Sequence, residues 1–256
     1  MLTSTANQQV KHLIQLNRKG KLRDAEGLFV VEGTRMFREA PVDRIEKIYL
    51  SESYFKKQWG EKEPECSFEI VQDSVFKTMC DTQTPQGILC LVRQYRYSLK
   101  ELLRKKNPLL LILENIQDPG NLGTMMRTAE GAGADGVILS SDCVDLYNPK
   151  TIRATMGSVY RVPFFKAPDL KETIRELEKQ RIKTFAAYLD GAQDYDKADY
   201  REGTAFLLGN EGNGLSPELA ACAHACIRIP MEGKLESLNV SAASAILLYE
   251  AYRQRR

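Results

Sequence analysis

The chain has 256 residues, enough for two globular units of ordinary size, and its 43% hydrophobic and 27% charged content excludes a disordered or fibrous protein. Aliphatic runs such as Leu109–Leu113 fall far short of the ~20 apolar residues that cross a bilayer, and the start Met1-Leu2-Thr3-Ser4 has no basic and apolar regions of a secretion signal, so the expected location is the cytoplasm. The formal net charge of +2 hides an asymmetry: Lys and Arg outnumber Asp and Glu over residues 1–106 and are outnumbered over the rest.

Val10, Leu13, Ile14 and Leu16 fall near helical spacing and predict an amphipathic first helix with Lys11 outside. Lys11, Arg18, Lys19, Lys21 and Arg23 all precede the first acid, Asp24, and form a candidate phosphate-contacting patch. On its own, such a run is more often a solvated helix face. Strand-like runs follow at Leu28–Val31, Ile45–Leu50, Phe68–Val71 and Gly87–Val92, separated by segments such as Thr34–Glu39. Together they predict a small α/β unit over residues 1–93. The charged segment 94–107, with Leu99, Leu102 and Leu103 among basic residues, reads as a linker holding a short helix.

From Pro108 short apolar strands alternate with longer helices. The strands are Leu109–Leu113, Val137–Leu139, Thr184–Leu189, Ala205–Leu208 and Ala225–Ile229. Helices are expected at Leu122–Gly131, Pro149–Met156, Leu170–Lys179 and Pro217–Ala221, with a last one from about Asn239 to the end. Strands this apolar predict a mainly parallel sheet with helices on both faces over residues 108–256. The six cysteines include no C-x-x-C pair and are expected to be reduced core residues. Cys222, His224 and Cys226 lie close together, but nothing nearby completes a ligand set, so no metal is expected.

Three clusters in this second half exceed what packing needs. Glu114 to Gly123 follows a buried strand and opens a helix, where free backbone N–H groups converge on a ligand. The glycines at 120 and 123 do not make G-x-G-x-x-G, so a dinucleotide reading is poor. In this cluster Asn121 and Arg127 are candidate functional residues, or else a helix cap and a surface charge. Gly209-Asn210-Glu211-Gly212-Asn213-Gly214 ends a strand with glycines that permit close backbone approach, and Ser216 and Pro217 then start a helix. Glu211 is either a ligand-facing group at a strand end or a solvent-facing loop acid. Ile229-Pro230-Met231 precedes Ser237-Leu238-Asn239-Val240-Ser241, a helix start with small residues and side-chain hydrogen-bonding groups. The only histidines, His12 and His224, stand in contexts unsuited to Ser–His or Cys–His catalysis.

Asn121-Leu122-Gly123 with Arg127-Thr128-Ala129, then Gly209 to Gly214, then Ile229-Pro230-Met231 with Ser237 to Ser241 resemble, in order, the three motifs of the SpoU/TrmH family of RNA ribose 2′-O-methyltransferases. The N-terminal unit is similar to the family's RNA-binding domain, and Thr82 to Ile88 resembles the stretch that closes it. The resemblance implies a C-terminal SPOUT-type sheet tied in a trefoil knot. It also implies S-adenosylmethionine as cofactor, held by backbone groups of Gly209, Ile229 and Leu238, with Leu208, Met231 and Ser237 in the same pocket. Arg127 is the implied catalytic residue, with Asn121, Glu211 and Asn239 positioning it or the ribose. The implied partners are RNA, ribosomal in preference to transfer RNA, gripped by the basic first helix, and a second copy of the chain. Ile246, Leu247, Tyr249 and Tyr252 of the last helix would supply the face for that copy, although an amphipathic helix must bury one stripe in any case. A non-catalytic RNA-binding or assembly factor of the same fold is the competing class.

Overall fold

The computed structural model describes residues 1–59, 66–235 and 237–256. The chain divides into two compact units, residues 1–95 with 145–160, and residues 96–144 with 161–256.

The first unit opens with α1 (Gln8–Arg18), where Asn7 caps the helix by accepting from the Gln9 N–H and Val10, Leu13 and Leu16 are buried. Then come α2 (Gly20–Glu26), β1 (Leu28–Glu32), α3 (Thr34–Glu39), β2 (Ile45–Ser51), α4 (Glu52–Tyr54), β3 (Phe68–Val71), α5 (Asp73–Met79) and β4 (Ile88–Arg93). The strands form one sheet in the order β1-β4-β2-β3. The buried side of α1 meets Val30, Tyr49, Leu89 and Leu91 of that sheet and Val75, Phe76 and Met79 of α5 in one core.

The second unit starts with α6 (Leu99–Leu102), β5 (Leu109–Leu113), α7 (Pro119–Gly131) and β6 (Gly136–Ser140). The chain then contributes α8 (Pro149–Thr155) to the first unit before it continues with β7 (Phe164–Ala167), α9 (Leu170–Lys179), β8 (Lys183–Ala187), β9 (Gln193–Asp194), β10 (Thr204–Leu208), α10 (Pro217–Ala220), β11 (Ala225–Arg228) and α11 (Val240–Arg255). Seven strands lie in the order β7-β6-β5-β10-β8-β11-β9, and each pairing is parallel. Every residue of β5 and of its neighbour β10 is buried, which explains why both read as unbroken apolar runs in the sequence.

Three features differ from the sequence reading. The basic run is helical beyond α1 as well, over Gly20–Glu26, where the spacing predicts only the first helix. Two strands were not foreseen, β7 and β9, and both are sheet edges: β7 leaves Lys166 exposed and β9 is only Gln193–Asp194, so neither carries the apolar run of a central strand. Finally, beside the expected division into residues 1–93, a linker at 94–107 and residues 108–256, the structure groups residues 145–160 with the first unit.

Candidate active site

Parallel order sends the carboxyl ends of β5, β10, β8 and β11 to one edge of the sheet, where α/β proteins bind ligands. Leu113 at the end of β5 is in register with Leu208 at the end of β10, so the loops after these two strands emerge side by side. Glu114 fastens them. Its N–H donates to the Leu208 carbonyl at 2.9 Å, and its carboxylate accepts from the Ser216 N–H at 2.7 Å and the Ser216 hydroxyl at 2.6 Å. Ser216 in turn caps α10, accepting from the Leu219 N–H at 3.3 Å. Between these fixed points the glycine loop closes on itself: a Cβ on Gly209 would stand 2.1 Å from the Gly214 carbonyl oxygen and 2.1 Å from the Leu215 nitrogen. No side chain fits there.

Glu211 leaves this loop to meet the start of α7. Its carboxylate accepts from the Gln117 N–H at 3.1 Å, the Asp118 N–H at 3.0 Å and the Asn121 side-chain amide at 3.1 Å. Burial pushes the Glu211 carboxyl up, but the backbone donors of Gln117 and Asp118 and the Asn121 amide outweigh it and hold the group below the ordinary carboxylate value. It is therefore a fixed anion at a helix N-terminus, where the dipole also favours negative charge. Asp118 is the helix cap, accepting from the Asn121 N–H at 2.7 Å, so the Asn121 side chain is left for other work. Its oxygen accepts from the Asn239 amide at 3.1 Å. Asn239 caps α11 through its own oxygen, which receives the Ser241 N–H at 2.9 Å and the Ser241 hydroxyl at 2.6 Å. One hydrogen-bonded chain, Asn239 to Asn121 to Glu211, thus links residues 118 and 90 positions apart in sequence.

Beside this chain lies a cavity of about 420 Å³, within the usual 300–1,000 Å³ of a small-molecule site. Leu208, Gly209, Ile229, Met231, Ser237 and Leu238 all line it, together with Glu211 and Leu247. The sequence reading missed Tyr188, Leu189 and Asp190 on the same wall. The signal for them was present, since they directly follow β8, whose neighbours β10 and β11 both lead into motif loops.

Arg127 is exposed on α7 and makes no hydrogen bond or ion pair among the described residues. It stands about 9 Å along the helix axis from Asn121 and is not part of the cavity lining. In the first unit Lys11, Arg18, Lys19 and Lys21 are exposed, but Arg23 corrects the expectation. It is only 3% exposed, donating to Asp145 at 3.0 Å and to the carbonyls of Asn17, at 3.1 Å, and Leu16. With its donors occupied inside the unit, Arg23 cannot contact RNA phosphates. Among the described residues no group of three or more His, Cys, Asp or Glu side chains is arranged to hold a metal ion, and no helix is long and apolar enough to cross a membrane.

Comparison with known proteins gives the same picture. The model of the SpoU rRNA Methylase family matches residues 108–249, and that of the MRM3-like substrate binding domain matches residues 7–90. The 23S rRNA (guanosine(2553)-2′-O)-methyltransferase RlmP of Bacillus subtilis is 30% identical over 250 residues, covering 97% of each chain. An uncharacterized tRNA/rRNA methyltransferase of Synechocystis is 32% identical over 99% of this chain and 94% of its own. The crystal structure of an AdoMet-bound rRNA methyltransferase from Sinorhizobium meliloti, 32% identical, superposes with a TM-score of 0.85 and covers 98% of this chain and 97% of that one. The chain belongs to the SpoU rRNA Methylase family.

Proposed function

We propose that this protein methylates the ribose 2′-hydroxyl of a nucleotide in ribosomal RNA, with S-adenosylmethionine as the methyl donor. The observation that carries the reading is the chain Asn239–Asn121–Glu211, which unites the three motif loops beside the cavity. The cavity fits such a donor: backbone from the tightly closed Gly209 loop faces apolar side chains of Leu208, Ile229, Met231 and Leu238, a lining suited to a ligand with both polar and apolar parts. Gly209, Ile229 and Leu238 would hold it through their backbone groups, with Ser237 at the wall. When bound, it supplies a methyl group on a positively charged sulfur.

The protein's own work is to align the 2′-oxygen and ease the loss of its proton. A guanidinium is a poor general base, so proton abstraction is not the task of Arg127. Its role is to stabilise the developing alkoxide or the adjacent phosphate. Glu211 is held as an anion by three donors and acts by fixing Asn121, and Asn239 fixes the other side of that amide. Exposed Lys11, Arg18, Lys19 and Lys21 serve RNA phosphates. The description of the matched family and the ribosomal substrate named for the Bacillus relative support ribosomal RNA, and hence the cytoplasm, over transfer RNA. The active species is a homodimer that uses the face of α11 bearing Tyr249 and Tyr252, which are 48% and 40% exposed.

Purified protein, labelled S-adenosylmethionine and RNA from cells lacking the protein test this reading together. Ribose methylation at a discrete position in ribosomal RNA, by a species that sediments as a dimer at micromolar concentration, is expected. Absence of donor binding by calorimetry would overturn the enzyme in favour of a scaffold, methylation of transfer RNA alone would overturn the substrate, and a stable monomer would overturn the dimer.

A further inference from the structure

Among the described residues the cavity wall carries three charged side chains, Asp190, Glu211 and Arg228. Two are committed elsewhere. Glu211 is held by Gln117, Asp118 and Asn121, and the Arg228 guanidinium is paired with Asp194 at 2.9 Å. Asp190 is exposed and has no hydrogen bond or ion pair among the described residues. Its position is central, because it follows β8, which lies between β10 and β11 in the sheet. The loop bearing Asp190 therefore emerges between the loops that bear Gly209 and Ile229. The charge left uncompensated on this wall is negative.

The two molecules that must alternate in such a site differ mainly in charge. S-adenosylmethionine has a sulfonium and an ammonium against one carboxylate, and so is a net cation. Once its methyl group has left, the sulfur is an uncharged thioether and the product, S-adenosylhomocysteine, is neutral overall. We propose that Asp190 is a specificity-determining residue whose free carboxylate favours the cationic donor over the neutral product, which promotes exchange of spent for fresh donor. The proposal rests on the reading of the cavity as the donor site. A carboxylate near a cationic ligand acts through the field of the site without needing direct contact.

Calorimetric titration of the wild type, Asp190→Asn and Asp190→Glu with both ligands provides the test. Asp190→Asn, nearly identical in shape, should weaken S-adenosylmethionine about five-fold, or about 1 kcal/mol at 1.4 kcal/mol per decade, and S-adenosylhomocysteine less than about two-fold, as befits an exposed charge. The difference should shrink at high salt, and Asp190→Glu, which keeps the charge, should retain the wild-type preference. Equal weakening of both ligands would place Asp190 against a part they share, such as the adenosine ribose, and would overturn the proposal. Unchanged affinity for both, or loss of the preference in Asp190→Glu, would overturn it as well. A wild-type protein that binds neither ligand would instead remove the donor-site reading on which it rests, a result distinguishable from the others.

Discussion

Arg127, on α7, and Glu211, in the glycine loop, are both charged residues of the motifs, and their surroundings set them to different tasks. Glu211 is surrounded by donors and held ionised, so its charge is spent on holding Asn121, while Arg127 is exposed with no partner among the described residues and is available to a substrate. Arg127→Ala should accordingly leave donor affinity unchanged while kcat falls by about 10²–10³, the usual cost of removing one group that stabilises a developing negative charge. Single-turnover kinetics with saturating donor measures this, and an unchanged kcat would take Arg127 out of the chemistry. Side-chain identity at these positions was legible in the sequence because polar residues crowd a strand end where packing does not call for them. The partner of each was not. Nothing local to Asn121 says that Asp118 takes over the helix cap and frees the amide to bridge Glu211 and Asn239. Arg23 misled for the same reason, since its partner Asp145 is remote in sequence and a basic run looks alike whether solvated or buried.

The elements that position the site are β5 and β10, adjacent, parallel and buried along their whole length. Full burial makes them easy to read, and α9 has the bounds its sequence predicts, Leu170–Lys179, because four of its residues form one buried stripe after an Asp169 cap. Edge strands escaped, since β7 and β9 have a partner on one side only and need no continuous apolar run. The geometry that turns two strand ends into a ligand wall is the neck of the glycine loop, clasped by Glu114 on Ser216 and closed at Gly209 against Gly214 and Leu215. A methyl group at Gly209 would meet backbone rather than a mobile side chain, so the loop must open to admit it. Gly209→Ala should weaken S-adenosylmethionine by more than about ten-fold and cost about 1–3 kcal/mol of stability, as overpacking does. Calorimetric titration and thermal unfolding measure the two effects. Wild-type donor affinity in this variant would show that the closed neck is not what shapes the wall.

At the scale of the whole chain, the first unit is not a contiguous stretch: it is completed by residues 145–160, reached only after β5, α7 and β6 have been laid down. Arg23 is where this interleaving is most exacting. Arg23 is 3% exposed and its guanidinium pairs with Asp145, while Tyr147 of the same segment donates its hydroxyl to the Tyr95 carbonyl at 3.0 Å and accepts the Tyr95 N–H at 2.7 Å. Removing one member of a buried, hydrogen-bonded ion pair costs about 3–5 kcal/mol, because the other charge is stranded. Asp145 retains some solvent access, its side chain being 30% exposed, so Arg23→Ala should fall at the lower end, near 3 kcal/mol. The neighbouring exposed residues should behave in the opposite way. Reversing charge at Lys19 and Lys21 should alter stability by no more than about 0.5 kcal/mol, while RNA affinity falls and the slope of log affinity against log salt shallows by about 1.4 for two lost single-strand phosphate contacts. Denaturant unfolding and filter binding across a salt series, run on both variants, separate the two roles of one basic run. If the Lys19 and Lys21 reversal leaves RNA binding and its salt slope intact, these lysines are solvated surface and the RNA-contacting face of the first unit lies elsewhere.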